Sequence, residues 1–317
     1  MSNTMPKVSI GIPVYNGERY LEEALDSILA QTFTDFELII ADNASNDRTR
    51  DICLQYASRD PRIRYHRSEK NIGAAPNHNL LFLMAKGEYF KWAAYDDRIA
   101  PDFLAKCVEV LDQNPEVVLC MPLTRRIDEH GGYAGNHQLI AGADDPDRIK
   151  RFRSLVLYNR SGNFLYGLNR ASVLAKTSLH RSFPSSDLIF LAELALYGRY
   201  HILPEYLFFR RSHPGQSTKG TMSREWARSL WFDSSLKGKI ILPKWKSLFA
   251  FLGVTRTAPL SRFEKLYCYL CILHWITLPH NRRGLFKDVI RAGLKLSAKF
   301  FGNKLPRRKR TGYRWLE

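Results

Sequence analysis

Two adjacent carboxylates, Asp96 and Asp97, close the stretch from Glu88 to Asp97, and Pro101 follows shortly after. Like charges side by side repel, so such a pair persists most comfortably with water or a cation between them. Residues 89–94 are aromatic and small apolar, broken only by Lys91, and read as a buried strand. Pro101 favours the start of a helix. Carboxylates at the carboxyl end of a strand, in a chain that alternates strands and helices, lie where open α/β sheets bind ligands. An isolated Asp-Asp would be a solvated loop capping the next helix; in this setting it points to a held divalent cation.

The first half of the chain supplies that alternation. Apolar patterning predicts strands over 8–14, 36–41, 63–66, 89–94 and 117–121, with helices over 18–31, 47–58, 74–85 and 103–114. This spacing implies βαβ units and a largely parallel sheet covered on both faces. Each turn at a strand's carboxyl end is polar: residues 13–18, 41–49, 70–73 and then Asp96-Asp97. Alone, Asn16 or Ser45 reads as a helix cap. Four such turns along one edge make a polar, acidic crevice suited to a sugar, a base and a metal. No Gly-x-Gly-x-x-Gly and no Gly-x-x-x-x-Gly-Lys-Ser/Thr occurs in them, which argues against dinucleotide and P-loop binding. A diphosphate bound here needs another counter-charge, and a cation held by carboxylates supplies it.

The segments Val8-Ser-Ile-Gly-Ile-Pro-Val-Tyr-Asn16, Ala41-Asp-Asn-Ala-Ser-Asn-Asp-Arg-Thr49, Asn71-Ile-Gly73 and Tyr95-Asp-Asp97 resemble, in order and spacing, the family 2 glycosyltransferases of GT-A fold. The resemblance covers roughly residues 6–217. It implies a Rossmann-like, mixed but mainly parallel sheet flanked by helices, a nucleotide-diphospho-sugar donor, a Mn²⁺ or Mg²⁺ ion, and inversion at the anomeric carbon. Pro13, Tyr15 and Glu18 would line the base pocket, and Asp42 would accept from a base N–H. Asn71 would lie near the nucleoside, with Asn16, Asn43 and Gly73 among the donor-binding turns. His78 stands where an Arg is common and would contact the nucleotide. Asp96 maps to the usual metal ligand, with Asp97 beside it. One departure is Ala94, where the family often has the first carboxylate of Asp-x-Asp-Asp.

Further on, residues 161–167 resemble the return strand of the fold, and residues 123–153 read as loops and a short helix on the acceptor side. Asp187 opens an apolar helix, where capping is its ordinary role. In the family the catalytic base sits at this spot, commonly in a Glu-Asp pair that is Ser186-Asp187 here. Glu193, further along, is expected to pair with an Arg. Residues 211–217 resemble the family's Arg-x-His-x-x-x-Ser loop. Arg211 and His213 would fold over the diphosphate, with His213 a further metal ligand and Ser217 bonding phosphate.

The net charge of +17 is unevenly placed. Residues 223–317 carry 21 Lys and Arg against 5 Asp and Glu, whereas residues 1–222 are close to neutral. The chain therefore divides into a GT-A domain, 1–222, and a basic, amphipathic helical region, 223–317, that associates with membrane or binds acceptor. Its uncharged run over 266–278 falls short of the ~20 residues that span a bilayer. Residues 281–301 form a basic amphipathic pattern, followed by a basic cluster at 306–310 and by Tyr313 and Trp315 as interfacial anchors. An anionic membrane is the expected partner; nucleic acid is disfavoured because the catalytic half carries no nucleic-acid motif. The N-terminus lacks the features of a signal peptide, and the five cysteines read as reduced thiols, Cys268 and Cys271 having no second pair to make a metal site. The expected place is the cytoplasm, at the inner face of the membrane. The expected activity is metal-dependent hexosyl or hexosaminyl transfer to a glycan or lipid-linked acceptor in surface-polysaccharide assembly. Two other classes compete: a catalytically weak sugar-nucleotide or glycan-binding protein, for which Ala94 argues, and a nucleotidyltransferase, which the missing glycine-rich loop disfavours.

Overall fold

The computed structural model describes residues 5–138, 140–159, 162–216, 225–237 and 239–300. Every element expected before residue 121 is present: β1 (Val8–Val14), α1 (Leu21–Leu29), β2 (Phe36–Asp42), α2 (Thr49–Arg59), β3 (Ile63–Arg67), α3 (Ala74–Met84), β4 (Tyr89–Trp92) and, after the short β5 (Arg98–Ile99), α4 (Phe103–Gln113) and β6 (Val117–Ile127). β1 and β2 are buried along nearly their whole length, as strands covered on both faces must be. They pair in parallel, and β3 and β4 extend the same parallel set on either side.

Beyond β4 the sheet becomes mixed. β8 (Leu168–Arg170) runs antiparallel between β4 and β6, and β9 (Arg199–Arg211) lies parallel to β6. The order is β3-β2-β1-β4-β8-β6-β9-β5, with β7 (Tyr133–Asn136) paired to β6 off that path. Residues 163–166, read from sequence within a return strand, instead form a 3-10 turn, and the strand itself begins at Leu168.

The segment expected to hold loops and a short helix contains the start of α5 (Arg148–Tyr158), which runs on past it and is capped by Asp147, whose carboxylate accepts from Ile149 N at 2.7 Å. Its four basic residues hid the apolar stripe. Arg151 is nonetheless buried, because its guanidinium donates to the carbonyls of Ala195, Asp145 and Pro146 at 2.7–3.1 Å. After the small α6 (Ala171–Leu174), α7 (Ser186–Leu194) carries Ile189, Phe190 and Leu191 into the core.

The C-terminal helices α8 (Glu225–Phe232), α9 (Pro243–Thr257), α10 (Arg262–Thr277) and α11 (Pro279–Phe300) follow. Phe251, Val254, Cys268, Ile272 and Trp275 join the same apolar cluster as the sheet. The uncharged run of α10 is thus one-sided, and both of its cysteines face inward as free thiols. The basic cluster at 306–310, Tyr313 and Trp315 lie outside the described residues. Arg148 of α5 grips Glu264 of α10 through two bonds, at 2.8 and 2.9 Å, while Ser261 and Glu264 form a capping box. Bonding to Arg148 holds the Glu264 carboxyl down at about 2. A depressed carboxyl stabilises the fold above its ordinary value of 4.5, and that contribution is lost as pH falls toward 2. Glu264→Gln should therefore lower stability at neutral pH by about 0.5–1 kcal/mol in urea unfolding and remove part of the acid-induced loss. A variant that loses stability between those pH values as steeply as the parent would discount this joint.

Candidate active site

The sheet topology decides where the paired carboxylates go. β4 ends at the fully buried Trp92, and the chain leaves the sheet through Ala93 to Asp97 before pairing again as β5, with Arg98 opposite Phe209 and Ile99 opposite Phe208. That pairing draws Asp96 and Asp97 onto the end of β9. The Arg211 amide donates to Asp97 Oδ1 at 2.8 Å, and His213 Nε2 meets Asp96 Oδ2 at 2.9 Å. Asp97 is 7% exposed, and burial together with neighbouring Asp96 raises its carboxyl to about 8. Beneath it Lys91, fully buried, donates to the Tyr166 carbonyl and lies 4.3 Å from the Phe103 ring centre; burial lowers its ammonium to about 7.

The side chain of Arg211 does not face the cleft. It is 2% exposed, pairs with Glu23 of α1, donates through Nε to Asp96 O at 2.9 Å, and stacks 4.7 Å from the Tyr20 ring centre. Successive side chains of a strand point to opposite faces. Arg210 therefore projects the other way, and its positive charge acts on both Asp97 and Asp187.

Asp187 stands in the first turn of α7. A methyl group added at Gly162 would lie 2.1 Å from its Oδ2, so only glycine leaves room for this carboxylate. Burial raises the Asp187 carboxyl above the ordinary 3.8, while Arg210 and Arg228 of α8 pull the other way. One phenol links the two halves of the cleft. Burial raises Tyr166, and the charges of Asp97, Arg210, Asp96 and Asp187 all act upon it. The three carboxylates thus share one cleft, with Arg210 among them.

On the opposite side of β4, the turns after β1, β2 and β3 are stitched to one another. Asn16, with φ 53°, receives the Asn46 amide at 3.0 Å and donates its own amide to Ser45 Oγ at 2.9 Å. Glu18 accepts from Arg48 N at 3.0 Å. Asn43 donates to Asn71 Oδ1 at 3.0 Å and accepts from Ile72 N at 2.8 Å. Asp42 is fully buried and accepts from Ser45 N, Tyr65 Oη and Arg67 Nε. Pro13 is half-buried, and Tyr15 keeps 40% of its surface exposed, leaving a ring face open.

The glycosyl transferase family 2 model matches residues 9–176. The chain belongs to this family. It is 39% identical over 111 residues to the putative teichuronic acid biosynthesis glycosyltransferase TuaG of Bacillus subtilis, a stretch that covers 35% of this chain and 44% of that protein. It is 32% identical over 132 residues to the chondroitin synthase of Escherichia coli, covering 42% and 19%. The match spans less than half the length of these relatives. Among solved structures, S. aureus TarS in complex with UDP-GlcNAc aligns with a TM-score of 0.64 at 16% identity, over 92% of this chain and 81% of that one. The mixed sheet with flanking helices is the GT-A fold expected from the sequence.

Set against the family's pattern, several expected residues sit differently in this chain. The Arg211 guanidinium is committed to the Asp96, Asp128 and Glu129 carbonyls and to Glu23, which also pairs with Arg98, so it lies away from the place expected over a diphosphate. Asp97 has one oxygen committed to the Arg211 amide. Asp42, Asn43, Asn16 and Asn71 hold the turns together, and Asp42 has no exposed edge to offer a base. Gly73, at φ 91°, makes room for the Phe232 carbonyl, which would be 2.5 Å from a Cβ there. His78 Nδ1 bonds the Ala74 carbonyl and its ring lies 5.0 Å from that of His180; burial lowers it to about 4, so it brings no positive charge at neutral pH. Glu193 accepts from Ser178, not from an Arg. Ser217 lies outside the described residues. Arg210, Arg228 and Tyr166 were not singled out in the sequence; only the parity of β9 hinted at Arg210.

A divalent ion is compatible with what remains. Among the described residues no three His, Cys, Asp or Glu converge as a complete cage. Asp96 Oδ2 and His213 Nε2 are 2.9 Å apart, close to the spacing of two adjacent ligands on an octahedral ion with bonds of ~2.0–2.1 Å. Such ions are usually held by one or two side chains, with substrate phosphates and water completing the shell. Arg211→Ala should lower stability by about 2–4 kcal/mol in urea unfolding, since it removes several buried charge-assisted bonds, and by more than Arg210→Ala does. Equal midpoints for the two variants would reverse the roles assigned to these neighbours.

Proposed function

We propose that this chain transfers a sugar from a nucleotide-diphospho-sugar to a hydroxyl of a glycan or lipid-linked glycan, with inversion at the anomeric carbon. The observation that carries the reading is the pairing of Asp96 with His213 at 2.9 Å beside Asp97 at the end of β9, with Asp187, seated over Gly162, acting by its charge on the same Tyr166 phenol as both acids. An inverting displacement needs a base on one side of the reacting carbon and positive charge on the other. Asp187 takes the acceptor's proton as the hydroxyl oxygen attacks; the bond to the diphosphate breaks, and its electron pair leaves on the diphosphate oxygen. Partial burial makes Asp187 a stronger base than an ordinary aspartate. Arg210 lies near enough to both acids to offset the departing charge, the task the sequence suggested for Arg211. Tyr15 offers its open face to the nucleotide base. Asp96 and His213 would hold Mn²⁺ or Mg²⁺, which when bound neutralises the nucleotide diphosphate.

Residues 1–222 carry the chemistry in this reading, and residues 223–317 keep the enzyme at the inner membrane face. Surface-polysaccharide assembly fits the names of two relatives, which concern teichuronic acid and chondroitin synthesis. A glycan-binding protein with little turnover is the second reading, favoured by Ala94 in place of a carboxylate.

Asp187→Asn should reduce transfer by ~10²–10⁴-fold while nucleotide-sugar binding, followed by thermal stabilisation, is retained. Retained transfer would remove Asp187 from the mechanism. The acid limb of the rate profile should lie above the ordinary aspartate value of 3.8, because burial raises this carboxyl and the base must be ionised. Turnover absent from the parent with every UDP-, GDP- and dTDP-sugar, with and without Mn²⁺, would favour the binding protein.

A further inference from the structure

The outer face of α10 and α11 is apolar and basic. On α10, Phe263 is 86% exposed, and Leu266, Tyr267, Leu270 and Leu273 follow it along one side, with 46–57% exposed. The opposite side carries the buried Cys268, Cys271, Ile272 and Trp275. On α11, Phe286, Val289, Ile290 and Leu294 are 45–67% exposed and alternate with exposed Lys287, Arg291 and Lys295. Rows of exposed apolar side chains along two successive helices mark a binding face.

Charge selects its occupant. The described parts of α10 and α11 contain two acids, and both are taken up: Glu264 is paired with Arg148, and Asp288 is 1% exposed and accepts from Lys244 N at 2.8 Å. A second copy of the chain would set cations against cations. Residues 301–317 hold six Lys and Arg against one Glu, so they would be repelled as well. An anionic bilayer answers both the apolar stripe and the positive charge. Among the described residues no helix is long and apolar enough to cross a membrane, which is compatible with helices lying along its surface.

We propose that α10 and α11 form an interfacial lipid-docking face, with Phe263, Leu266 and Leu270 inserted among acyl chains and Lys287, Arg291 and Lys295 against lipid headgroup phosphates. The inference rests on the reading of residues 223–317 as membrane-facing and makes it specific; it does not depend on the transfer chemistry. The full chain should float with phosphatidylcholine vesicles containing phosphatidylglycerol, about tenfold better than with phosphatidylcholine alone. Leu266→Glu/Leu270→Glu should lose that recovery while keeping the parent's thermal unfolding and its turnover of a water-soluble acceptor. Lys287→Gln/Arg291→Gln/Lys295→Gln should lose the preference for anionic lipid. A polarity-sensitive dye on Leu270→Cys should shift to the blue on anionic vesicles, since insertion moves it out of water. Equal flotation with both vesicle types overturns the proposal, as does full recovery of the double Glu variant. So does a concentration-dependent dimer that Leu270→Glu dissociates, which would give the face to a second copy. Loss of turnover in the parent with flotation intact would instead count against the glycosyltransferase reading alone.

Discussion

The bond from the Arg211 amide to the Asp97 carboxylate fixes the shape of the cleft. It ties the loop leaving β4 to the last residue of β9, two segments separated by more than a hundred positions in sequence. The Arg211 side chain then turns away beneath the same loop, gripping the Asp96 carbonyl and Glu23, so the loop is held from both sides. A hydrogen bond contributes about 0.5–1.5 kcal/mol, and here it also sets position. Asp96 is left pointing toward His213, two residues past the strand. Arg210, one residue earlier, is left on the cleft side by strand parity.

The electrostatics follow from this geometry. Three carboxylates in one partly buried cleft would repel one another, and the protein answers with Lys91 below, Arg210 within and Arg228 from α8. Asp97, the most enclosed of them, is driven toward its neutral form. Asp187 keeps its place because Gly162 has no side chain to displace it. The proposed leaving group would enter a site whose positive charge is already oriented, so little reorganisation is needed as charge develops.

The C-terminal helices belong to this arrangement as well as to the surface. Arg228 reaches the candidate base, the Phe232 carbonyl covers Gly73, and α9 and α10 share the sheet's apolar core.

The alternating strands and helices before residue 121 were legible because their apolar period is local, and the acidic crevice because each polar turn follows a strand end. The family pattern also pointed to Asp96 and His213, which the fold pairs at 2.9 Å, and to Asp187, whose charge acts on the same phenol as that of Asp96. Other features were not legible. The apolar stripe of α5 was masked by four basic residues, of which Arg148 pairs with Glu264 and Arg151 is buried against backbone carbonyls, and residues 163–166 turn where an extended strand was expected. The exchange of roles between Arg210 and Arg211 could not be read from their types, which are identical. It depends on which face of β9 meets α1 and which meets α7, and only the packed sheet decides that, by burying one guanidinium against Glu23 and leaving its neighbour among the acids.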